Sequence, residues 1–252
     1  MISSLSRTSS ASSTNCKGRS DMEIGILMAA GMGTRMRPIT DTIPKPLVSV
    51  LGTPMIETVI RALNRRGVEK IYVVTGYLAD HFDQLALKYP NVTLIRNEEY
   101  ETVNNISSLH ALGNIMGSSD CFICEADLYI SDEEILMKDL SKSCYFGKMV
   151  EGCSDDWVFD QDDEGRITRV GKGGEDCYNM VGLSFFRAAD ALTVKEAIDE
   201  AYADGGFEDL FWDDIVNANL DKLDLDVVPV EAGQITEIDS VEELAAIDPS
   251  YS

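Results

Sequence analysis

The sequence predicts an α/β fold: a mixed, mostly parallel sheet with helices on its faces and an antiparallel extension. Three observations carry this reading. Short apolar runs at residues 24–28, 70–76 and 92–97 alternate with amphipathic helical patterns, the order that builds a parallel sheet from crossover units. From residue 143 the pattern shortens to CYFGKMV, DWVFDQDDEGRITRV and MVGLSFF, which read as antiparallel strands with Asp162-Asp163-Glu164-Gly165 as a hairpin turn. A chain of 252 residues can bury one large core, so residues 22–252 are expected to form a single domain.

The first strand runs into Ala29, Ala30, Gly31 and Gly33, and the cations Arg35, Arg37 and Lys45 follow. Glycines let a backbone approach a bulky ligand and turn its N–H groups inward, so a strand ending in such a loop reads as a phosphate cradle. No Gly-Lys-Ser/Thr closes the loop as in a P-loop, and the third glycine of the dinucleotide fingerprint is missing. Taken alone, Gly-x-Gly fits a plain turn better than a phosphate cradle. Pro54 then opens a helical pattern with Ile56, Val59, Ile60 and Leu63 on one face and Gly67 as its C-terminal cap. KIYVVTG is the next strand, a helix follows over about 79–88, and VTLIRN is the strand after it. Ligands of open α/β sheets sit at the carboxyl ends of the strands, which groups Gly31, Tyr77 and Asn97 around one crevice.

Asn104 and Asn105 stand ahead of the helix SLHALGNI, where their amides can hydrogen-bond a base or ribose; Ser107 and Ser108 also suit plain N-caps. In CFICEADLYI an apolar strand ends at Glu125 and Asp127, beside the phosphate loop, where a carboxylate can hold Mg²⁺ or simply face solvent. The helix DALTVKEAIDEAY ends at Gly205-Gly206, and FEDLFWDDIVNANL begins another. Phe211 and Trp212 on that helix diverge by about 100°, so one of them belongs to the core. LDVVPVE, ITEIDS and VEELAAI close the chain, with Asp239 directly ahead of the last helix in a pattern that also serves as a helix start.

Composition narrows the function. Hydrophobic content of 44% and charged content of 26% are those of a globular domain, but the net charge of −23 argues against a nucleic-acid partner. An anionic nucleotide would need local cations and a divalent metal, and the acidic excess suits a substrate with a positive end. The six cysteines are too sparse for a disulfide framework. Cys121 and Cys124, three apart on a strand, point to opposite faces and read as buried free thiols. Neither His81 nor His110 lies beside a candidate nucleophile, so His-based acyl transfer has little to build on. Residues 1–21, Ser/Thr-rich with Arg7, Lys17 and Arg19, read as a disordered leader or appended extension ahead of Met22. No apolar run is long enough to span a bilayer, and a cytoplasmic monomer or homodimer without membrane contact is expected.

The stretch AAGMGTRMRPITDTIPKPLVSVLGTPMIE resembles the signature of nucleotidyltransferases that join a nucleoside triphosphate to a phosphorylated small molecule. YETVNNISSLHAL, EADLYI, SDDWVF, MVGLSFF, FEDLFWDDIV and TEIDSVEEL narrow the resemblance to CTP:phosphocholine cytidylyltransferases of the bacterial cell-surface type. The resemblance implies a Rossmann-like three-layer nucleotidyltransferase fold and transfer of CMP from CTP to phosphocholine, with Mg²⁺ held by Asp127 and Asp239. Arg35 and Lys45 would act with them in catalysis, while Arg37 would be structural or at the rim. Ala29, Ala30, Gly31, Gly33, Thr34, Tyr77, Asn104, Asn105 and Ser108 would surround the nucleotide. Trp157, Asp209, Phe211 and Trp212 would hold the trimethylammonium head, which offers no N–H and is bound by aromatic faces and diffuse negative charge. The same chemistry on phosphoethanolamine, 2-aminoethylphosphonate or a sugar 1-phosphate stays open, as does a regulatory module that binds nucleotide without catalysis.

Overall fold

The computed structural model describes residues 22–252; the leader expected over residues 1–21 lies outside them. Strand β1 (Ile24–Ala29) lies in the interior of the sheet, as apolar residues on both of its faces require. Ile24 and Ile26 enter the core on one side, and Leu27 and Ala29 enter the core on the other, the period of two that a strand imposes. Strands β2 (Ser49–Val50) and β3 (Thr53–Pro54) make a small hairpin before helix α1 (Met55–Arg66). Ile56, Val59, Ile60 and Leu63 of α1 are fully buried against the sheet. The helix ends at Gly67, whose φ of 93° lets its N–H reach back to the carbonyls of Leu63 and Asn64.

Strand β4 (Lys70–Thr75), helix α2 (Asp83–Lys88), strand β5 (Val92–Arg96), the short helix α3 (Ile106–His110) and strand β6 (Cys121–Glu125) follow. The helix expected over about 79–88 is a 3-10 turn at Ala79–Phe82 leading into α2. Cys121 and Cys124 do face opposite cores, and burial pushes the Cys121 thiol up to about 12. CFICEADLYI is not one strand. It breaks at Ala126-Asp127, and β7 (Leu128–Ile130) leaves the main sheet.

Strands β8 (Ser143–Gln161) and β9 (Ile167–Phe186) turn at Asp162–Gly165, where the Asp162 N–H donates to the Arg166 carbonyl. They are longer than the three alternating runs suggest because register shifts fold them back on themselves. Val158 pairs with Gly171 in one register and with Asn179 in another, so two long strands do the work of four short ones. Helix α4 (Ala188–Asp204) ends at Gly205, and helix α5 (Trp212–Ala218) is shorter than expected. Residues 207–210 form a turn closed by the Leu210 N–H on the Phe207 carbonyl, which leaves Phe211 extended at the N-cap. Strand β10 (Leu225–Pro229), strand β11 (Ile235–Glu237) and helix α6 (Val241–Ile247) complete the chain.

The main sheet has seven strands in the order β10-β8-β9-β6-β1-β4-β5, parallel from β6 through β5 and antiparallel on either side of β9. β11 pairs antiparallel with β7 beside it. A small third core of Met36, Val48, Val50, Met55, Ile238 and Leu244 ties the glycine loop, the β2–β3 hairpin and α6 together. That cluster matters most for the site, because its members neighbour Arg35, Lys45 and Asp239 in the chain.

Behind β9, Tyr145 is buried and donates its hydroxyl to Asp213 Oδ1 at 3.0 Å. Burial pushes the Asp213 carboxyl up to about 7, against the opposing pull of the Tyr145 hydroxyl. A carboxyl raised in this way favours folding below its unfolded value of 3.8, and that contribution fades as pH rises toward 7. Asp213→Asn keeps an acceptor for Tyr145 without a charge. Denaturant unfolding of D213N at pH 5 and pH 8 should therefore show a flatter pH dependence than the wild type, by roughly 3 kcal/mol at most over that window.

Candidate active site

The carboxyl ends of β1, β5 and β6 open into a cleft of about 1140 Å³ that continues along the β8–β9 extension. At one end lies the loop after β1. Gly33 takes a φ of 58°, and a Cβ built on it would stand 2.8 Å from Lys45 Cβ, so a glycine here lets the lysine stem pass. Gly31 needs no such conformation; a Cβ there would meet nothing within 4 Å, and the residue opens directly on the cleft. Ala29, Ala30 and Thr34 line the same wall.

Lys45 is 7% exposed, and its ammonium is shared between Asp127 Oδ2 and Asp239 Oδ1, each at 2.5 Å. Burial works against its charge, but the two carboxylates outweigh burial and hold its pKa above the ordinary value. Arg35, with its side chain 71% exposed, donates to the same Asp239 oxygen at 2.6 Å. Desolvation in the cleft opposes the charge of Asp239, yet Lys45 and Arg35 keep its carboxyl below the usual range. Arg37 stays outside the cleft wall and faces Asp41 at 3.2 Å.

Asp127 stands where β6 gives way to β7, and the pairing of β7 with β11 brings Glu237 beside it. Carboxylate oxygens of Glu125, Asp127 and Glu237 lie within 4.8 Å of one another. Hard oxygen donors of this kind suit Mg²⁺. The sequence reading paired Asp127 with Asp239 alone; in the structure Asp239 reaches Asp127 through Lys45, and Glu237 completes the carboxylate group. The signal for Glu237 was present in Thr-Glu-Ile-Asp, since strand residues two apart share a side. Glu237 is open to the cleft solvent but ringed by protein. That desolvation, with the charges of Asp127 and Asp239, drives its carboxyl upward, and Glu125 moves the same way through burial and the charges of Glu237 and Asp127. Gly182, with φ of 70°, leaves room for Glu125, whose Oε2 would stand 3.1 Å from a Cβ there.

Asn97, Asn104, Asn105, Ser107 and Ser108 line the wall opposite the glycine loop. Much of their hydrogen bonding is internal. Asn97 donates to Ser107 at 2.9 Å and Ser108 at 3.4 Å, and Asn105 Oδ1 accepts the Trp212 N–H at 2.9 Å. Asn104 donates to the Asp209 carbonyl at 3.3 Å. Tyr77 does not line the cleft; its N–H donates to the Ala30 carbonyl at 3.0 Å and its hydroxyl to the Thr40 carbonyl at 2.9 Å, bracing the loop from outside.

At the far end, Trp157 and Phe211 meet edge to face with ring centroids 5.5 Å apart. Asp155, Asp156 and Asp213 line the cleft with them. Trp212 is only 3% exposed and stacks on Tyr145 at 5.6 Å, so of the adjacent aromatic pair it is the core member, while Asp209 lies outside the cleft wall. Asn179 donates to Ser154 at 2.7 Å and Asp156 at 3.3 Å, and its Oδ1 is buried without a partner among the described residues. Lys172, which sequence reasoning did not single out, places Nζ 5.8 Å from the Trp157 centroid and 5.4 Å from that of Phe211. One cleft thus joins a cation-rich glycine loop and clustered acids to an aromatic corner flanked by acids.

Comparison with known proteins accords with this layout. Residues 25–144 match the MobA-like NTP transferase domain. The chain is 56% identical over 226 residues to a 2-aminoethylphosphonate cytidylyltransferase of Lancefieldella rimae, covering 90% of this chain and 92% of that one. It is 35% identical over 223 residues to a choline-phosphate cytidylyltransferase of Streptococcus pneumoniae, covering 88% and 96%. The solved structure of the CTP:phosphocholine cytidylyltransferase from Streptococcus pneumoniae superposes with a TM-score of 0.83 at 33% identity, over 92% of this chain and 100% of that one. An inositol-1-phosphate CTP transferase from T. maritima shares the fold, with a TM-score of 0.71 at 18% identity. The chain therefore belongs to the bacterial cytidylyltransferases of this type, within the nucleotidyltransferase family.

Proposed function

We propose that the protein transfers CMP from CTP to a small phosphonate or phosphate that carries an amine, with 2-aminoethylphosphonate as the first acceptor. The observation that carries this reading is the aromatic corner of Trp157 and Phe211 in the same cleft as the glycine loop. A cation is held by aromatic faces and nearby acids, whereas a sugar would call for many hydrogen-bonding side chains. The choice among amines rests on the relative at 56% identity, which acts on 2-aminoethylphosphonate. Phosphocholine is the second reading. The relative at 35% identity supports it, as does the suitability of aromatic faces for a quaternary ammonium. A non-catalytic module fits poorly with Arg35, Lys45, Asp127 and Asp239 converging on one point.

In this reading an acceptor oxygen attacks the α-phosphorus of CTP in line. One P–O bond forms, the α–β P–O bond breaks, and pyrophosphate leaves with its electron pair. The backbone of residues 29–34 cradles the triphosphate, and Asn104, Asn105 and Ser108 border the nucleoside. Arg35 and Lys45 neutralise charge that builds on the bridging and leaving oxygens. Asp127, Glu237 and Asp239 are the residues that would hold Mg²⁺, which when bound offsets phosphate charge and orients the reacting groups. Trp157, Phe211 and the nearby acids orient the acceptor by its amine, and such positioning supplies much of the rate. The reaction would run in the cytoplasm, where CTP is supplied.

The direct test is pyrophosphate release with Mg²⁺ and CTP across 2-aminoethylphosphonate, phosphocholine, phosphoethanolamine and glucose 1-phosphate. Turnover with the amines is expected, fastest with 2-aminoethylphosphonate, and preference for the sugar would reject the assignment. Asp127→Asn keeps an oxygen for Lys45, which Asp239 also holds. It should melt near the wild-type temperature and lose kcat by on the order of 10²–10³; activity close to wild type would remove Asp127 from the chemistry. Trp157→Ala should raise the acceptor KM by about 2- to 30-fold, the worth of a cation–π contact, and leave the KM for CTP unchanged. Equal effects on both would take Trp157 out of the acceptor pocket.

A further inference from the structure

The aromatic corner already houses a cation, and it belongs to the protein. Lys172 lies directly across the β8–β9 ladder from Trp157, and its ammonium stands 5.8 Å from the Trp157 ring centroid and 5.4 Å from that of Phe211. The two rings are inclined by 66°, so they form two walls around a single charge. Asp155 and Asp156 line the same cleft, yet no carboxylate pairs with Lys172 among the described residues; the residue is exposed, and its ammonium faces the two rings.

We infer that Lys172 is an internal competitor for the acceptor's amine, a residue that sets which acceptors gain entry. This rests on the amine reading of the corner. The end of a lysine side chain is a primary alkylammonium, the same chemical end that 2-aminoethylphosphonate presents, so the pocket accommodates that group. Two like charges cannot share the corner, because at contact distance they repel and only one can face both rings. Acceptor binding therefore displaces Lys172. The backbone need not move for this, since Arg169 anchors it by donating to the carbonyls of Gly173 at 2.8 Å and Lys172 at 3.4 Å, and by pairing with Asp160 at 2.6 Å. Rotation about the lysine's own methylenes is enough. An acceptor without a cation gains nothing from the corner and leaves Lys172 in place, so the cost of displacing the lysine falls on amines alone and narrows their advantage over acceptors that lack one.

Lys172→Met keeps the length and apolar bulk of the side chain and removes the charge; Lys172→Arg keeps the charge. Steady-state kinetics at saturating CTP would compare 2-aminoethylphosphonate, phosphocholine and ethylphosphonate, the last having no amine. K172M should lower the KM of both amines by about 2- to 30-fold, the range of a cation–π contact, with the KM for CTP and for ethylphosphonate changed far less. K172R should stay near the wild type. If the wild type prefers 2-aminoethylphosphonate to ethylphosphonate and K172M leaves the amine KM unchanged or raises it, Lys172 is not a competitor and the amine reading stands. If the wild type does not distinguish 2-aminoethylphosphonate from ethylphosphonate, the amine reading itself is wrong and the inference falls with it.

Discussion

A single buried ammonium organises the molecule. Lys45 sits 82 residues from Asp127 and 194 from Asp239 in the chain, yet it holds both at 2.5 Å. A charge taken out of water is costly unless well paired, and here two carboxylates share that task. Meeting that requirement fixes several other choices. Gly33 must lack a side chain so that the lysine stem can pass. The β6 strand must break so that Asp127 stands free at its end, and β11 must return to β7 so that Glu237 and Asp239 arrive beside it. The small core of Met36, Val48, Ile238 and Leu244 locks those returning segments together, supplying the apolar burial that the charged cluster lacks.

The two ends of the cleft divide the electrostatic work. The chain carries a net charge of −23, which repels a triphosphate at long range. Arg35 and Lys45 reverse that field locally, where the glycine loop exposes its backbone. At the other end the acidic surplus is useful, because Asp155 and Asp156 line the cleft with the aromatic corner where a positive group would sit. An overall charge hostile to nucleotides thus becomes a means of selecting a zwitterionic acceptor, provided the cations are concentrated at one point.

Much of this was legible in the sequence, and the reasons differ by residue. β1, β4, β5 and α1 follow from apolar periodicity, and the fit is close because both sheet faces are covered. Gly33, Arg35, Lys45 and Asp127 were identified by local spacing together with family resemblance. Glu237 was missed although Thr-Glu-Ile-Asp alternates acids along a strand, because Asp239 alone drew attention. Trp212 was counted as a binding residue with Phe211. The helix starts at Trp212, five residues beyond Phe207 where the amphipathic pattern begins, and that start sends Phe211 to the cleft and Trp212 to the core. Lys172 left no trace in the sequence. Its place opposite Trp157 depends on the shifted registers of β8 and β9, which are set by long-range pairing and not by local composition.

If Lys45 is the hub, its ammonium and a divalent cation compete for the oxygens of Asp127 and Asp239. Water-proton relaxation with Mn²⁺, in the absence of nucleotide, measures that competition without relying on turnover. Lys45→Met should bind Mn²⁺ at least about tenfold more tightly than the wild type, because a positive charge beside the carboxylates has been removed. Equal or weaker binding by K45M would contradict the account, since the carboxylates gathered around Lys45 would then not be a cation site.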